Sequence, residues 1–481
     1  MTQDEELQAL REENRSLKAL IAQLLPLQEQ LAQAHARIKE LEDRLAQDSR
    51  TSSKPPSSDG LTRLPRRARR PSGKSPGGQA GHAGHTLALV EPPDTVVRHR
   101  PLVCKQCAAD LSQVPGRVAE RRQVLDVPEI RLLAQEHQIE ALCCPSCQRT
   151  SMGSFPTAVS APVQYGPHLQ ALAVYLHQGQ LLPTARTCEA LAALCGGHLA
   201  QATLLEWSEL AAERLAPTVE RIAELIVASP LQHGDETGIR VYGMLHWLHV
   251  NCTPFLTHLA WHGSRGREAM DEIGIWPRFG GRGMHDRLVS YDGYGCAHSI
   301  CGAHLGRDCA AVAEQDHQPW ATAMQDFLLD LHDACEQWRL LHLTAVPAIE
   351  RDDWVARYFE ILAAGYAAQP PPPTPAAGKR KGRRKQSKAK NLLDALLLRA
   401  EQVLALLDDL RIPFTNNQAE RDLRWAKVQQ KISGTFRSAT GITAFCRIRS
   451  YLSTMQKQGH SMLAALTAVF HGHPLPVAWG S

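Results

Sequence analysis

The chain lacks any long apolar run. No window of about eighteen residues is both apolar and uncharged, which excludes a membrane-spanning helix. It also lacks an apolar segment behind its start. The opening residues Met1-Thr2-Gln3-Asp4-Glu5-Glu6 are polar and charged, so no secretory signal peptide is expected. A strong charge of one sign is missing as well. The formal balance is only +4, so the distribution of charge carries more than the total. Nor do the cysteines make a disulfide framework. There are 13, an odd number scattered through a large chain, as expected in a reducing cytosol with a few on metal and the rest as small core residues. What is present is ample material for buried cores, 43% hydrophobic, in 481 residues, too many for one ordinary domain.

Residues 1–48 read as a coiled coil. Leu10, Leu17, Leu24, Leu31, Ile38 and Leu45 recur every seventh position, and Leu7, Asn14 and Ile21 fill the companion seam. Asn14 costs stability there but fixes register and partner number. Pro26 falls on the outer face and should kink the helix. Gln28, His35 and Glu42 weaken the second half of the seam. A homo-oligomer formed through this helix is expected. Residues 49–94 read as a flexible basic arm. Ser52-Ser53-Lys54-Pro55-Pro56-Ser57-Ser58-Asp59-Gly60 cannot build a core. Arg63, Arg66, Arg67, Arg69, Arg70 and Lys74 follow, suited to phosphate contacts that order the arm on binding.

Residues 95–155 carry Cys104-Lys105-Gln106-Cys107 and Cys144-Pro145-Ser146-Cys147. Each two-residue gap lets both sulfurs face one ion, so Cys104, Cys107, Cys144 and Cys147 read as the ligands of a structural zinc ribbon. Strand-like runs at 123–127, 130–133 and 138–142 would bridge the knuckles, and Cys143 is a spare that could replace Cys144. Four thiolates leave no open position, which argues against catalytic zinc. Residues 156–229 are mostly helical. They suit a helix-turn-helix that reads DNA or a packed helical bridge equally well.

Residues 230–310 change to a strand period. Runs at 239–242, 246–251 and 255–261 read as three strands joined by tight turns, followed by a helix near 267–275. Leu288-Val289-Ser290-Tyr291 reads as a fourth strand and 298–301 as a fifth. Three antiparallel strands, a helix and a parallel strand is the order of a ribonuclease-H-like core. There the first acid sits on strand one and the second follows strand four. Asp235, in His233-Gly234-Asp235-Glu236-Thr237, and Asp292, in Tyr291-Asp292-Gly293-Tyr294, take those places. Glu236 competes with Asp235, but adjacent side chains on a strand point to opposite faces, so only one should serve. Asp286 competes with Asp292 and is set aside because it precedes the apolar run; Asp308 and Asp422 are weaker alternatives. Residues 311–410 read as a helical insertion, with a disordered basic stretch at 369–390 that holds Pro370 to Pro373 and a series of lysines and arginines.

Residues 411–481 return to the core. A helix over 415–432, capped by Thr415 or Asn416, puts Glu420 in its first turns. Arg424, Lys427 and Lys431 share a face with Glu420, while Ala419, Leu423 and Ala426 line an opposing apolar stripe. A carboxylate at a divalent metal with cations beside it suits phosphodiester chemistry. Candidate DNA contacts are thus Arg66, Arg67, Arg69, Arg70, Lys74, His304, Arg421, Arg424, Lys427, Lys431 and Arg437. Cys296, His298, Cys301, His304 and Cys309 invite a second zinc site, but Cys301 and His304 read better as a scaffold for the second-acid loop.

These motifs together resemble the insertion-sequence sixty-six family of bacterial DDE transposases. The likeness rests on the Ser-Ser-Lys-Pro-Pro-Ser-Ser-Asp-Gly arm at 52–60, Gly-Gly-Gln-Ala-Gly-His at 77–82 and the two cysteine knuckles. It continues through Asp-Glu-Thr at 235–237, Asp-Gly-Tyr at 292–294, Cys-Gly-Ala-His at 301–304 and Asn-Asn-Gln-Ala-Glu-Arg at 416–421. The resemblance implies a multidomain α+β protein: coiled coil, zinc ribbon, helical region and a ribonuclease-H-like α/β core with an all-helical insertion. It implies a triad of Asp235, Asp292 and Glu420 holding two magnesium ions, with manganese as an alternative. It implies binding of transposon terminal inverted repeats, then two-metal-ion strand cleavage and transfer of the 3′ end into target DNA. Partners would be transposon ends, target DNA and accessory proteins of the same element, in the bacterial cytoplasm at the nucleoid. The alternative is an inactive or repurposed transposase acting as a DNA-binding repressor.

Overall fold

The computed structural model describes residues 3–45, 87–369 and 386–479. The chain divides into two units. One comprises residues 1–70, 163–187 and 200–481; the other comprises 71–162 and 188–199. The arm residues Arg66, Arg67, Arg69, Arg70 and Lys74 lie outside the described residues, as does most of the basic proline-rich stretch.

Helix α1 (Gln3–Leu45) runs unbroken through Pro26. Leu17, Ile21, Leu24, Leu31 and Ile38 on it are all more than half exposed, so this chain alone does not bury the seam.

In the smaller unit both knuckles are formed. Cys104 O accepts from Ala108 N and Cys144 O from Gln148 N, at 2.9 and 2.8 Å, and Ala108 and Gln148 both take positive φ to close the turns. Backbone N–H groups of Cys107 and Gln106 pull the Cys104 thiol below its usual range, and those of Cys147 and Ser146 do the same for Cys144. No three of the four sulfurs form a metal-competent group among the described residues. Of the expected bridging strands, those at 123–127 and 130–133 are not formed among the described residues, and the run at 138–142 is a strand only at its end. Residues 121–140 have no regular structure; β1 (Ala141–Cys143) and β2 (Thr150–Met152) pair, antiparallel, and Val103 bridges Asp110 across the first knuckle. Val124, Val127 and Leu133 are 92, 77 and 82% exposed. β-propensity is realised only against a partner strand and a covered face, and these residues have neither.

The larger unit continues with α2 (Pro167–Val174), α3 (Thr184–Cys195, its first four residues here) and α4 (Gln201–Val227). A five-stranded sheet follows: β3 (Leu231–Val241), β4 (Met244–Cys252), β5 (Thr257–His262), then α5 (Arg267–Ile273), β6 (Arg282–His285) and β7 (Ala297–Ile300). The spatial order is β5-β4-β3-β6-β7. β3, β4 and β5 are antiparallel, while β6 and β7 run parallel to β3. Two expectations are corrected. β3 begins before Asp235 rather than after it, and the fourth strand is Arg282–His285, not Leu288–Tyr291. The run at 288–291 enters a 3-10 turn over Val289–Gly293, with Val289 73% exposed.

Helices α6 (Gly302–Gln315), α7 (Pro319–Leu340), α8 (Ala348–Ala367), α9 (Lys388–Leu398), α10 (Ala400–Val403) and α11 (Ala405–Asp408) follow β7, over the region read as a helical insertion. Its core, including Trp320, Phe327, Leu331, Tyr358 and Leu393, is continuous with Met284, Ile300 and Cys301 of the sheet edge. Lys388 and Lys390 belong to α9, capped by Ser387, so the described end of the stretch expected to be disordered is helical. Helix α12 (Asn417–Ser433) packs Ala419, Leu423 and Ala426 against Ile239, Val241, Leu248 and Val250 of β3 and β4. Helix α13 (Ala439–Lys457) adds Ile442, Phe445 and Cys446 to the same core, and α14 (Met462–Phe470) follows. Each such fully buried large apolar side chain contributes roughly 1.5–3 kcal/mol, which holds α12 flat on the sheet and sets the height of Glu420.

Candidate active site

Strand β3 carries Asp235 in its middle, and β6 beside it ends at His285, so Asp286 leaves the sheet next to Asp235. Ligand atoms of Asp235, Glu236 and Asp286 lie within 4.8 Å of one another. Burial, reinforced by Glu236 and Asp286, pushes the Asp235 carboxyl up to about 8. Three crowded carboxylates with a single arginine among them keep repulsion that a divalent cation would relieve.

The expectation that Glu236 faces away from Asp235 fails. Its carboxylate reaches the cluster, but both of its oxygens are engaged: Oε1 by Arg265 Nε at 2.8 Å and Oε2 by the Tyr291 hydroxyl at 2.8 Å. Arg265 also approaches Asp286 at 3.9 Å. Glu236 therefore ties the loop after β6 to the central strand. Gly234 makes room for this loop, since a Cβ there would fall 2.5 Å from Trp276, which packs against Tyr291.

Asp292 is not brought to this cluster. Its carboxylate pairs with Arg399, which is buried at the junction of α9 and α10, so it anchors the insertion to the loop. The weaker alternatives are also engaged elsewhere. Asp308 pairs with Arg287, and Asp422 with Lys457 at 2.7 Å and Thr257 at 2.9 Å.

Glu420 sits in the first turn of α12 and faces Cys301 and His304. The three offer ligand atoms within 4.8 Å of each other, with His304 Nε2 3.9 Å from Glu420 Oε1. The charge of His304 also works to lower the Asp235 carboxyl, against its burial. Burial works against a charged His304 ring, but Cys301 and Glu420 outweigh it and raise the imidazole to about 9.

Asn416 holds these parts together. It is the N-cap residue of α12, yet its side chain makes no cap bond. Nδ2 donates to Gly234 O at 2.8 Å, Oδ1 meets His233 Nδ1 at 2.8 Å, and its backbone N–H donates to Cys301 Sγ at 3.2 Å. Gly302 N donates to Phe414 O at 2.9 Å, and a Cβ on Gly302 would fall 2.3 Å from the Phe414 ring, so the segment before α12 lies tight against α6.

An open cavity of about 280 Å³ borders Asp286 and His304 and is also lined by Arg265, Arg287, Arg307 and Asp308. The three arginines were not singled out from sequence. They are scattered along the chain and meet only in the fold. Arg421, Arg424, Lys427, Lys431 and Arg437 are exposed on or just after α12, with Lys427 Nζ donating to Gly238 O at 3.1 Å.

A family model described as transposase IS66 family matches residues 162–444, more than half of the chain. The chain belongs to the IS66 transposase family. Membership makes it a DNA-processing protein and accords with divalent metal at the carboxylates. A second model, for a family of unknown function (DUF6444), matches residues 3–88. No curated protein matches the chain. None of the described helices in this IS66 family member is long and apolar enough to cross a membrane.

Proposed function

We propose that this IS66 family member is an active DDE transposase with a ribonuclease-H-like core, whose acids are Asp235, Asp286 and Glu420. The observation that carries the reading is the position of Asp286, at the end of β6 and beside Asp235 on the adjacent central strand. The residues suit divalent ions: oxygen donors predominate, and Glu420 Oε1 is buried with no hydrogen-bond partner. Two bound magnesium ions would stabilise charge on the attacking and leaving oxygens of an in-line displacement. Arg265, Arg287 and Arg307 would hold flanking phosphates over the cavity, and the exposed cations of α12 would extend that track along the duplex. Glu236 orients Arg265, and Asn416 fixes the distance between the strand of Asp235 and the helix of Glu420. The arm at 49–94 and the two cysteine knuckles, the latter around structural zinc, would recognise terminal inverted repeats. The exposed seam of α1 would pair protomers.

The test is a supercoiled plasmid carrying the element's own ends. Strand-specific nicks at those ends in Mg²⁺ or Mn²⁺, absent in EDTA, are expected. End binding without nicking in either ion would leave the runner-up, a DNA-binding repressor.

The raised Asp235 carboxyl makes metal binding pH-dependent. A folded value of about 8 against the ordinary 3.8 means the metal-free native state holds a proton that the unfolded chain releases. Its contribution therefore favours folding below about pH 4 and is lost as pH rises to about 8. Metal must displace that proton, so thermal stabilisation by Mg²⁺ should be larger near pH 8 than near pH 6. Melting curves with and without Mg²⁺ check this. An equal shift at both pH values would count against Asp235 as a ligand.

A further inference from the structure

We infer that Cys301, His304 and Glu420 form a site for one thiophilic transition-metal ion of the zinc class, chemically separate from the carboxylate group at Asp235. The stretch holding Cys301 and His304 reads as scaffold by itself, because its third ligand comes from a helix more than a hundred residues later. The fold supplies it. The sulfur, an imidazole nitrogen and a carboxylate oxygen lie within 4.8 Å of one another. Around a tetrahedral zinc, with bonds of about 2.0–2.3 Å, such atoms sit roughly 3.3–3.8 Å apart, so small side-chain rotations close the site.

Two atoms of the group are unsatisfied. His304 Nδ1 and Glu420 Oε1 are both buried without a hydrogen-bond partner, a costly state in a protein interior unless something else binds them. The backbone is already fixed. Cys301 is fully buried as the N-cap of α6, and His304 lies three residues on, in the first turn. Glu420 is held by α12, whose start is clamped to Cys301 through the Asn416 N–H. That N–H···S bond is the kind of outer support that steadies a thiolate ligand. A thiolate and an imidazole select zinc, cobalt or copper over magnesium, whereas Asp235 and Asp286 offer only hard oxygen donors. The other members of the sequence cluster are occupied elsewhere. His298 bonds Tyr294 O and His285, Cys296 sits with Trp276 and Tyr291, and Cys309 is buried in the core of the insertion. Three protein ligands leave a fourth position open.

Under the proposed function Glu420 also serves the magnesium ions beside Asp235, so zinc here would withdraw it from them. This consequence, inhibition of cleavage by low Zn²⁺, rests on the proposed function; the metal site does not.

The experiment uses the full chain with Cys104, Cys107, Cys144 and Cys147 all replaced by Ser, to remove the knuckle thiolates. Titration with Co²⁺ should give a thiolate-to-cobalt charge-transfer band that saturates at one ion per chain and is displaced by Zn²⁺. Adding C301S should abolish the band, and adding D235N should leave it. H304A or E420Q, with unchanged circular dichroism, should weaken Co²⁺ binding by at least about tenfold. No charge-transfer band, or a band that survives C301S, overturns the site, and does so even if the protein nicks DNA normally. A band that behaves as expected in a protein that never nicks supports the site while the catalytic reading falls.

Discussion

Asp286→Asn should abolish end nicking while leaving end binding intact, and Asp292→Asn should keep nicking within about tenfold of the parent. The two acids are six positions apart, so the contrast separates a residue facing the metal from one facing the insertion. Asp286 shares a group with Asp235 and lines the arginine-bordered cavity. Replacing its carboxylate with a neutral amide removes a ligand whose charge a divalent cation needs. Losing about 4 kcal/mol of transition-state stabilisation corresponds to roughly a thousandfold in rate. Asp292, in contrast, is neutralised by Arg399, whose side chain is only 8% exposed. Asn at 292 can still accept a hydrogen bond from that guanidinium. Complete removal of the partner, as in Asp292→Ala, would leave a buried cation unpaired at a cost of about 3–5 kcal/mol, so that variant should melt early rather than fail chemically. Nicking rates, end-binding affinity and melting temperature for the three variants decide the assignment. If Asp292→Asn is dead with normal stability and Asp286→Asn is active, the assignment of the second acid reverts to Asp292.

The sequence made the three antiparallel strands legible because their apolar runs are joined by tight turns, although the run at 239–242 catches only the end of β3. It hid the one strand that places Asp286 beside Asp235. Arg282-Gly283-Met284-His285 is short, begins with a charge and contains glycine, so it has little propensity of its own; it is a strand because β3 and β7 flank it. Leu288-Val289-Ser290-Tyr291 has the propensity but no partner, and it turns instead. Glu236 misled for a related reason. Strand alternation fixes where a Cβ points, but a glutamate has two further bonds with which to bring its carboxylate back, and Arg265 and Tyr291 hold it there. The helix carrying Glu420 is legible because its apolar stripe recurs at helical spacing, and Ala419, Leu423 and Ala426 pack on the sheet as that spacing implies. Nothing in the pattern around 416 distinguishes an asparagine that caps a helix from one that links three segments.

That link gives the second large effect. Asn416→Ala should destabilise the protein by about 2–5 kcal/mol and slow nicking by about a hundredfold. Asn416 is 1% exposed, and its amide joins His233 and Gly234, the two residues before Asp235, to the start of the helix of Glu420. Burial holds His233 down to about 4, so its ring is neutral near pH 7 and Nδ1–H donates to Asn416 Oδ1. Alanine would strand that donor and the Gly234 carbonyl in the interior, each costing about 1–3 kcal/mol. With the clamp gone, α12 keeps its apolar face on the sheet but loses the bonds that fix its first turn along β3. A displacement of about 1 Å at a reacting centre is enough for the rate loss expected. Asn416→Asp is the sharper variant. It keeps an acceptor for His233 yet sets a buried carboxylate oxygen against the Gly234 carbonyl, so it should lose activity and at least as much stability as alanine. Thermal melts read one effect and single-turnover nicking on bound ends reads the other. An alanine variant that melts normally and nicks at the parental rate would show that packing of α12 alone positions Glu420.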